Sequence, residues 1–250
     1  AKQASEYYKN IFGFSDYAYA GPETGLKDRV SYVVRKNKVF YVLTTPLKSN
    51  HYISKWLLKH GDGVYDIAFS VDSVKDAYEG CLERGGESAY DLFIINDENG
   101  SFSKASIKSY GDCIHSFINN NEYKLWAPNF VENLDNEKDL EDTKIELIDH
   151  VVANVELDKM DFWKEYYENI FGFSAFVRFD ETDISTKYSS LKSVVLRSEN
   201  WKVKLPINEP AEGLKKSQIE EYLDFNEGPG VQHIALLSSD ILKTIRVLRK

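Results

Sequence analysis

The sequence predicts an α+β fold built as two tandem copies of one domain, and three observations predict it. Glu6-Tyr7-Tyr8-Lys9-Asn10-Ile11-Phe12-Gly13-Phe14-Ser15 recurs 159 residues later as Glu165-Tyr166-Tyr167-Glu168-Asn169-Ile170-Phe171-Gly172-Phe173-Ser174, with nine of ten positions identical; self-similarity of that kind marks a duplicated unit. Each copy is followed by short alternating apolar runs of the sort that form antiparallel strands. A second match, Gly61-Asp62-Gly63-Val64-Tyr65-Asp66-Ile67-Ala68-Phe69 with Gly228-Pro229-Gly230-Val231-Gln232-His233-Ile234-Ala235-Leu236, lies 167 residues apart.

Taken in order, the chain opens on an amphipathic helix with Tyr8, Ile11 and Phe12 at helical spacing as core residues, stopped by Gly13 at the position where a left-handed residue ends a helix. Strands are expected over Val30 to Val34 and Val39 to Thr44. The glycines of Gly61 to Gly63 fit a turn into a strand, a helix is expected from Ser73 to Arg84, and further strands near Phe93 to Ile95, Lys104 to Ile107 and Ile114 to Phe117. Val131 to Lys144 carries eight charged residues and no apolar period, so it reads as a solvated linker. The second copy repeats the pattern: a helix with Tyr167, Ile170 and Phe171 ending at Gly172, strands over Ser193 to Leu196 and Trp201 to Leu205, the Gly228-Pro229-Gly230 turn, a strand, and a helix from Asp240 to Arg249. The unit is strand, helix, then several antiparallel strands, used twice in each half. The expected domains are 1–130, a linker at 131–145, and 146–250.

Composition narrows the function classes. Forty acidic against 31 basic residues give a formal net charge of −9, and no basic stripe is present to follow a phosphate backbone, so nucleic acid is not an expected partner. No apolar run approaches the 18 or more residues of a membrane span. Cys81 and Cys113, the two cysteines, form neither a disulfide framework nor a CxxC pair, which favours a reducing compartment and hence the cytoplasm. Ala1 is not an initiator Met, and both ends read as cut.

Two histidines carry the chemistry. His150 in Ile148-Asp149-His150-Val151-Val152 and His233 in Val231-Gln232-His233-Ile234-Ala235 both sit near the start of the first strand of successive units. Packed as pseudo-symmetric partners, such units lay their first strands side by side and bring both imidazoles into one cavity. Imidazole is the commonest metal ligand; two with a carboxylate and open positions make the facial triad of non-haem Fe(II) oxygenases, while other donors would favour zinc or manganese. Asp149 alternates to the other strand face from His150, and Asp240 lies beyond the strand, so neither is placed as the third ligand. In the first half Asp66 stands in the place of His233, the strand matching His150 would precede Ala1, and His115 reads as a structural histidine.

The segments IDHVVANVE, FWKEYYENIFGFSAF, KYSSLKSVVL, LPINEPAEGLKKSQIEEYL and GPGVQHIAL resemble the catalytic half of the 4-hydroxyphenylpyruvate dioxygenase family. AKQASEYYKNIFGF, ETGLKDRVSYVVRKNKVFYVLTTPL and HGDGVYDIAF resemble that family's non-catalytic N-terminal domain. The resemblance covers essentially the whole chain. It implies tandem βαβββ modules of the glyoxalase, or vicinal-oxygen-chelate, type, with Fe(II) held by His150, His233 and a Glu expected beyond Lys250. It also implies O2 as co-substrate, 4-hydroxyphenylpyruvate as the small-molecule partner, homogentisate and CO2 as products in tyrosine catabolism, and substrate contacts from Ser193, Asn208, Gln218 and Gln232. Asn208 and Gln218 border an expected irregular stretch, whereas Gln232, next to His233 in a regular strand, would point away from the metal. Hydroxymandelate synthase shares the fold and ligands and is the alternative oxygenase; a glyoxalase-fold binding module without metal is the alternative of another class. A homo-oligomer is compatible with the sequence. Without the third ligand, the 250-residue chain itself is expected to bind iron weakly and to lack turnover.

Overall fold

A computed structural model describes residues 1–133, 141–179, 190–211 and 215–249. The acidic run 134–140 of the expected linker and residues 187–189 of the KYSSLKS motif lie outside the described residues. The chain runs α1 (Lys2–Phe12), β1 (Ser15–Ala20), β2 (Arg29–Lys36), β3 (Val39–Pro46), α2 (Tyr52–His60), β4 (Asp66–Ser70) and α3 (Val74–Glu83). It continues with β5 (Ser88–Asp97), β6 (Gly100–Lys108), β7 (Ile114–Asn119), β8 (Val131–Glu132) and β9 (Ile145–Asn154). The last part is α4 (Met160–Phe171), β10 (Ser174–Phe179), β11 (Ser190–Arg197), β12 (Lys204–Ala211), α5 (Gln218–Phe225), β13 (Gly230–Ser238) and α6 (Ile241–Leu248). Three sheets result, ordered β3-β2-β1-β8, β4-β7-β6-β5 and β10-β11-β12-β9-β13.

The duplication extends beyond sequence. Helices α1 and α4 both end on a left-handed glycine, Gly13 at φ 71° and Gly172 at φ 68°, a conformation that glycine adopts without a Cβ clash. The strand after each helix pairs antiparallel with the next, and each pairing slips by one residue, between Asp16 and Ala18 in one copy and between Ala175 and Val177 in the other. The irregularity thus falls at Tyr17 and at Phe176, again 159 residues apart.

The two copies are not packed alike. Ile170 is 5% exposed whereas Ile11, its equivalent, is 42% exposed, against the expectation that both are core. The reason is α3, which lies against α4: Ile170 packs with Val74, Tyr78 and Cys81 of α3, and Arg84 donates two hydrogen bonds to the Ile170 carbonyl at 2.9 and 2.6 Å. A cation on the last carbonyls of a helix satisfies orphan acceptors and opposes the helix dipole.

The halves share a core. Tyr110 and Cys113 from the first are buried in one cluster with Val151, Ala153, Tyr167 and Ile207 from the second. His115 belongs to this seam. It is fully buried; its Nδ1 donates to the Ile67 carbonyl at 3.3 Å, and Tyr167 donates its hydroxyl to Nε2 at 2.6 Å. That pattern requires a neutral ring, and burial depresses the pKa of His115 to about 4. Other differences from the sequence reading are local. Val131–Glu132, inside the expected linker, pairs with β1; Trp201 is a turn residue at φ 60° ahead of β12 rather than part of a strand; α2 and α5 are helices where none was expected.

A buried histidine held neutral links stability to pH. The unfolded chain takes up the proton at the ordinary value near 6.5 and the folded chain only near 4, so the stabilisation is complete above about pH 6.5 and is lost as pH falls toward 4. His115→Gln, which removes the titration, should flatten the stability profile between about pH 6.5 and 5, where wild type loses up to about 2 kcal/mol. Urea denaturation at stepped pH checks this; parallel profiles for the two proteins would refute it.

Candidate metal centre

The centre rests on β9 and β13, which lie side by side and antiparallel. Their core face is marked by Val151 and Ala153 on β9 and by Val231 and Ile234 on β13, all packed against the shared cluster. His150 and His233 must face the other way to be available, and regular alternation does not achieve that. On β9 the inward Ile148 is two residues before His150, and on β13 the inward Val231 is two residues before His233, so an unbroken strand would turn both imidazoles into the core. The register resolves the conflict. Ile148 pairs with Leu236 while His150 pairs with Ala235, leaving Asp149 as an extra residue; Val231 pairs with Ala153 while His233 pairs with Val152, leaving Gln232 as an extra residue. One β-bulge immediately before each histidine flips its face.

The bulges also overturn two expectations of regular alternation. Asp149 does not point away from His150: its Oδ2 accepts from His150 Nδ1 at 2.7 Å and its Oδ1 accepts from Lys204 Nζ at 2.5 Å. Gln232 does not point away from His233: its Oε1 accepts from His233 Nδ1 at 2.7 Å. The His150 bond first, and Lys204 second, hold the Asp149 carboxyl below the usual carboxylate range. Desolvation, followed by repulsion from His150, lowers the His233 pKa.

With both Nδ1 atoms engaged by oxygen acceptors, each hydrogen sits on Nδ1 and each Nε2 keeps its lone pair for a ligand. The ring centroids are 5.9 Å apart with the planes at 73°. Two imidazoles bound at about 2.1 Å place their centroids roughly 3.2 Å from a common ion, up to about 6.4 Å from one another and about 4.6 Å at a right angle. The observed spacing lies within that range, and closing it to a right angle needs a little over about 1 Å of movement. The donor set therefore fits a divalent transition metal through two neutral nitrogens. Among the described residues no cluster of three His, Cys, Asp or Glu side chains is present.

The expected substrate residues are only partly gathered. Val194, Ile207 and Ala153 pair across β11, β12 and β9 on the core face, so their neighbours Ser193, Asn208 and Asn154 lie on the His150 face. Ser193 is directly opposite Asn208, and Asn208 is the register partner of Asn154. Asn208 is thus within β12, which runs past the expected strand end at Leu205 to Ala211. Gln218 is exposed as the first residue of α5; the Ser217 and Glu220 capping box that starts this helix is a Ser-x-x-Glu signal legible in the sequence. A cleft of about 360 Å³ runs along the free edge of β13 and is lined by Tyr41, Trp56, Tyr222, Gln232 and His233 among others; Ser193, Asn208, Gln218 and His150 do not line it. Two residues were missed from sequence, Asp149 as a partner of His150 and Asn154, whose amide is fully buried with neither Oδ1 nor Nδ2 partnered. Asn154 shares the parity of His150 along β9, the one sequence signal that could have marked it.

The turn that aims β13 is held from the first half. His60 of α2 directs Nδ1 at the Asn226 carbonyl at 2.5 Å and Nε2 at Asp112 at 2.9 Å. Gly111 lies so close to Pro229 that a Cβ there would meet the Pro229 carbonyl oxygen at 2.3 Å.

Residues 147–250 match the model of the Glyoxalase/Bleomycin resistance protein/Dioxygenase superfamily, which agrees with the strand-helix-strands units. Within that class, the whole chain is 41% identical to 4-hydroxyphenylpyruvate dioxygenase of Coccidioides posadasii, over 67% of that protein, and 41% identical to that of Yarrowia lipolytica, over 66%. It is 40% identical to the same enzyme of Dictyostelium discoideum, over 70% of its length. A solved triple mutant of 4-hydroxymandelate synthase from Streptomyces coelicolor superposes with TM-score 0.87 at 26% identity, covering 99% of this chain and 70% of that one. The chain belongs to the 4-hydroxyphenylpyruvate dioxygenase family, and it spans about two thirds of the length of these curated relatives.

Gly230, the residue that opens β13, tests the aim of that strand. A Cβ there would meet the Tyr222 hydroxyl at 2.5 Å and the Asn226 amide nitrogen at 2.7 Å, so Gly230→Ala should cost about 1–3 kcal/mol through overpacking. Denaturant unfolding of the variant measures it; a loss within about 0.5 kcal/mol of zero, the range of an ordinary surface substitution, would show that the turn is not tightly constrained.

Proposed function

We propose that this chain carries the iron-binding histidines of an Fe(II)- and O2-dependent dioxygenase that converts 4-hydroxyphenylpyruvate to homogentisate and CO2. The observation that supports this reading most directly is the pair of imidazoles on neighbouring strands, each with Nδ1 engaged and Nε2 free. When bound, Fe(II) would supply chelation of the 2-oxo acid and activation of O2, chemistry that belongs to the metal more than to the protein. His150 and His233 would hold it, with a downstream Glu as third ligand. Ser193 and Asn208, on the His150 face, would offer hydrogen bonds to the aromatic acid, with Gln232 beside His233 and Gln218 at the start of α5 completing the polar contacts. A cytoplasmic location is in keeping with Cys81 and Cys113, both buried and unpaired with one another; no helix among the described residues is long and apolar enough to cross a membrane.

The superposition on 4-hydroxymandelate synthase supports a second reading, in which the side-chain carbon rather than the ring is oxidised. Product analysis separates the two. In a chain extended to the length of the relatives, with Fe(II), O2 and 4-hydroxyphenylpyruvate, chromatography should show homogentisate in step with O2 uptake, and 4-hydroxymandelate would favour the second reading. His233→Ala should bring turnover below about 1% of wild type, a larger loss than removal of outer-shell support gives. Homogentisate formation by that variant at the wild-type rate would overturn the ligand assignment. Failure of the unsubstituted protein to take up Fe(II) anaerobically would leave a binding module as the correct reading.

A further inference from the structure

The inference concerns Asp149, a residue outside the expected ligand and substrate sets, and it rests on the proposed metal-binding role of His150. Asp149 exists as an inserted residue: the register counts it out of the β9–β13 pairing, and a bulge costs ladder hydrogen bonds that regular pairing would make. The insertion flips the face of His150 and also sets a carboxylate on the ring's Nδ1 at 2.7 Å. Lys204, on the strand on the other side of β9, holds the second carboxylate oxygen at 2.5 Å. Leu205 packs in the core, so Lys204 faces the same side as His150. The arrangement is a chain, Lys204 to Asp149 to His150, with each link a charge-assisted hydrogen bond of the stronger kind. His233 has a parallel arrangement with a neutral partner, since Gln232 is likewise the inserted residue and likewise faces Nδ1. Two independent bulges that each deliver an oxygen to Nδ1 of the next residue argue for a device that sets tautomer and ring direction.

We propose that Asp149, oriented by Lys204, is a positioning residue that locks His150 in the Nδ1–H tautomer with Nε2 directed at the metal. Its effect has two parts. An imidazole without partners prefers its hydrogen on Nε2, which would block ligation, so the carboxylate reverses the intrinsic preference. The carboxylate also places a negative charge one ring away from a divalent cation and neutralises Lys204, whose ammonium would otherwise repel that cation. Outer-shell carboxylates of this kind typically change metal affinity by 10- to 100-fold.

The first arm of the test needs no metal. Long-range 1H–15N correlation spectra of the chain at about pH 8 should show His150 protonated on Nδ1 in wild type and predominantly on Nε2 in Asp149→Ala and Asp149→Ser. In Asp149→Asn, which keeps an oxygen acceptor, the Nδ1–H form should persist. The second arm titrates Co(II) alone and should show a 10- to 100-fold weaker affinity for Asp149→Ala, with Asp149→Asn in between because its amide carries no charge. Asp149 is about one third exposed by its side chain, so truncation leaves no buried void, and circular dichroism with unchanged His233 resonances confirms the fold. An Nδ1–H form of His150 that survives both truncations, or equal Co(II) affinities of wild type and Asp149→Ala, overturns the proposal. Truncations that unfold the chain make Asp149 a structural residue and overturn it as well. A tautomer shift in a wild-type chain that takes up no Co(II) upholds the positioning of His150 and removes support from the metal reading instead.

Discussion

The pairing of β9 with β13, with a surplus residue immediately before each histidine, is the constraint on which the rest depends. Strand alternation has a period of two, so a single inserted residue exchanges the core and solvent faces of everything beyond it. Here Ile148 before the bulge and Val151 after it both face the shared core, as do Val231 and Ile234 around the other bulge. Between each inward pair the chain has room for a histidine pointing outward and a neighbour able to reach its Nδ1. A strand with regular pleating could keep its core residues or its histidine outward, but not both at this spacing. The interruption of the ladder is therefore what lets one segment serve the core and still present an outward imidazole, and bulges beside functional sites have this use in general.

This explains which parts were legible in the sequence. The duplication, the helix ends at Gly13 and Gly172, and the two histidines in matched strands all rest on residue identity at fixed offsets, and local chemistry decides them. The roles of Asp149 and Gln232 were misread because period-two alternation was applied across residues that the pairing leaves out; a bulge is a property of two strands together, and neither Asp149 nor Gln232 is itself a glycine that would announce one. The strand expected to end at Leu205 runs on through Asn208, although two prolines flank that residue in PINEP and proline ordinarily argues against a strand. Pro206 and Pro210 are nonetheless in β12. On the β9 side the described ladder covers only Ile207 and Asn208, so the missing donors fall where the parallel pairing to β9 is not made. The exposure of Ile11 was out of reach for a different reason: nothing in α1 says that α3 covers its twin and not α1 itself.

The first half lacks the histidine pair yet does not stand apart from the site. Three of its contacts with the second half are backbone-directed: Arg84 on the Ile170 carbonyl, His60 on the Asn226 carbonyl, and the close approach of Gly111 to Pro229. Such contacts fix chain direction without using the chemistry of the residues they hold, which suits a scaffold. They converge on the end of α4 and on the turn before β13. Tyr167, which donates to His115 and shares a hydrogen bond with Ser109 of the first half, sits in the same cluster as Val151 and Val231, so the floor under both histidine strands is made jointly by the two copies.

The divergence of the copies follows from what each first-strand position faces. At the place of His233 the first half has Asp66, whose carboxylate accepts from Ser116 at 2.6 Å and Lys104 at 3.1 Å. Those partners come from β7 and β6, and β4 pairs with β7 in register from Asp66 to Ser70 without a bulge. Both bonds fall on Oδ2 and tie the carboxylate to its own sheet, while Oδ1 is buried without a hydrogen-bond partner among the described residues. In the second half the partner strand is β9, the ladder is broken at Gln232, and the ring at that position is left exposed with one nitrogen unclaimed. The same repeated strand is thus tied into its own sheet in the first half, where it pairs parallel with β7, and leaves a histidine available in the second, where it pairs antiparallel with β9 across a bulge.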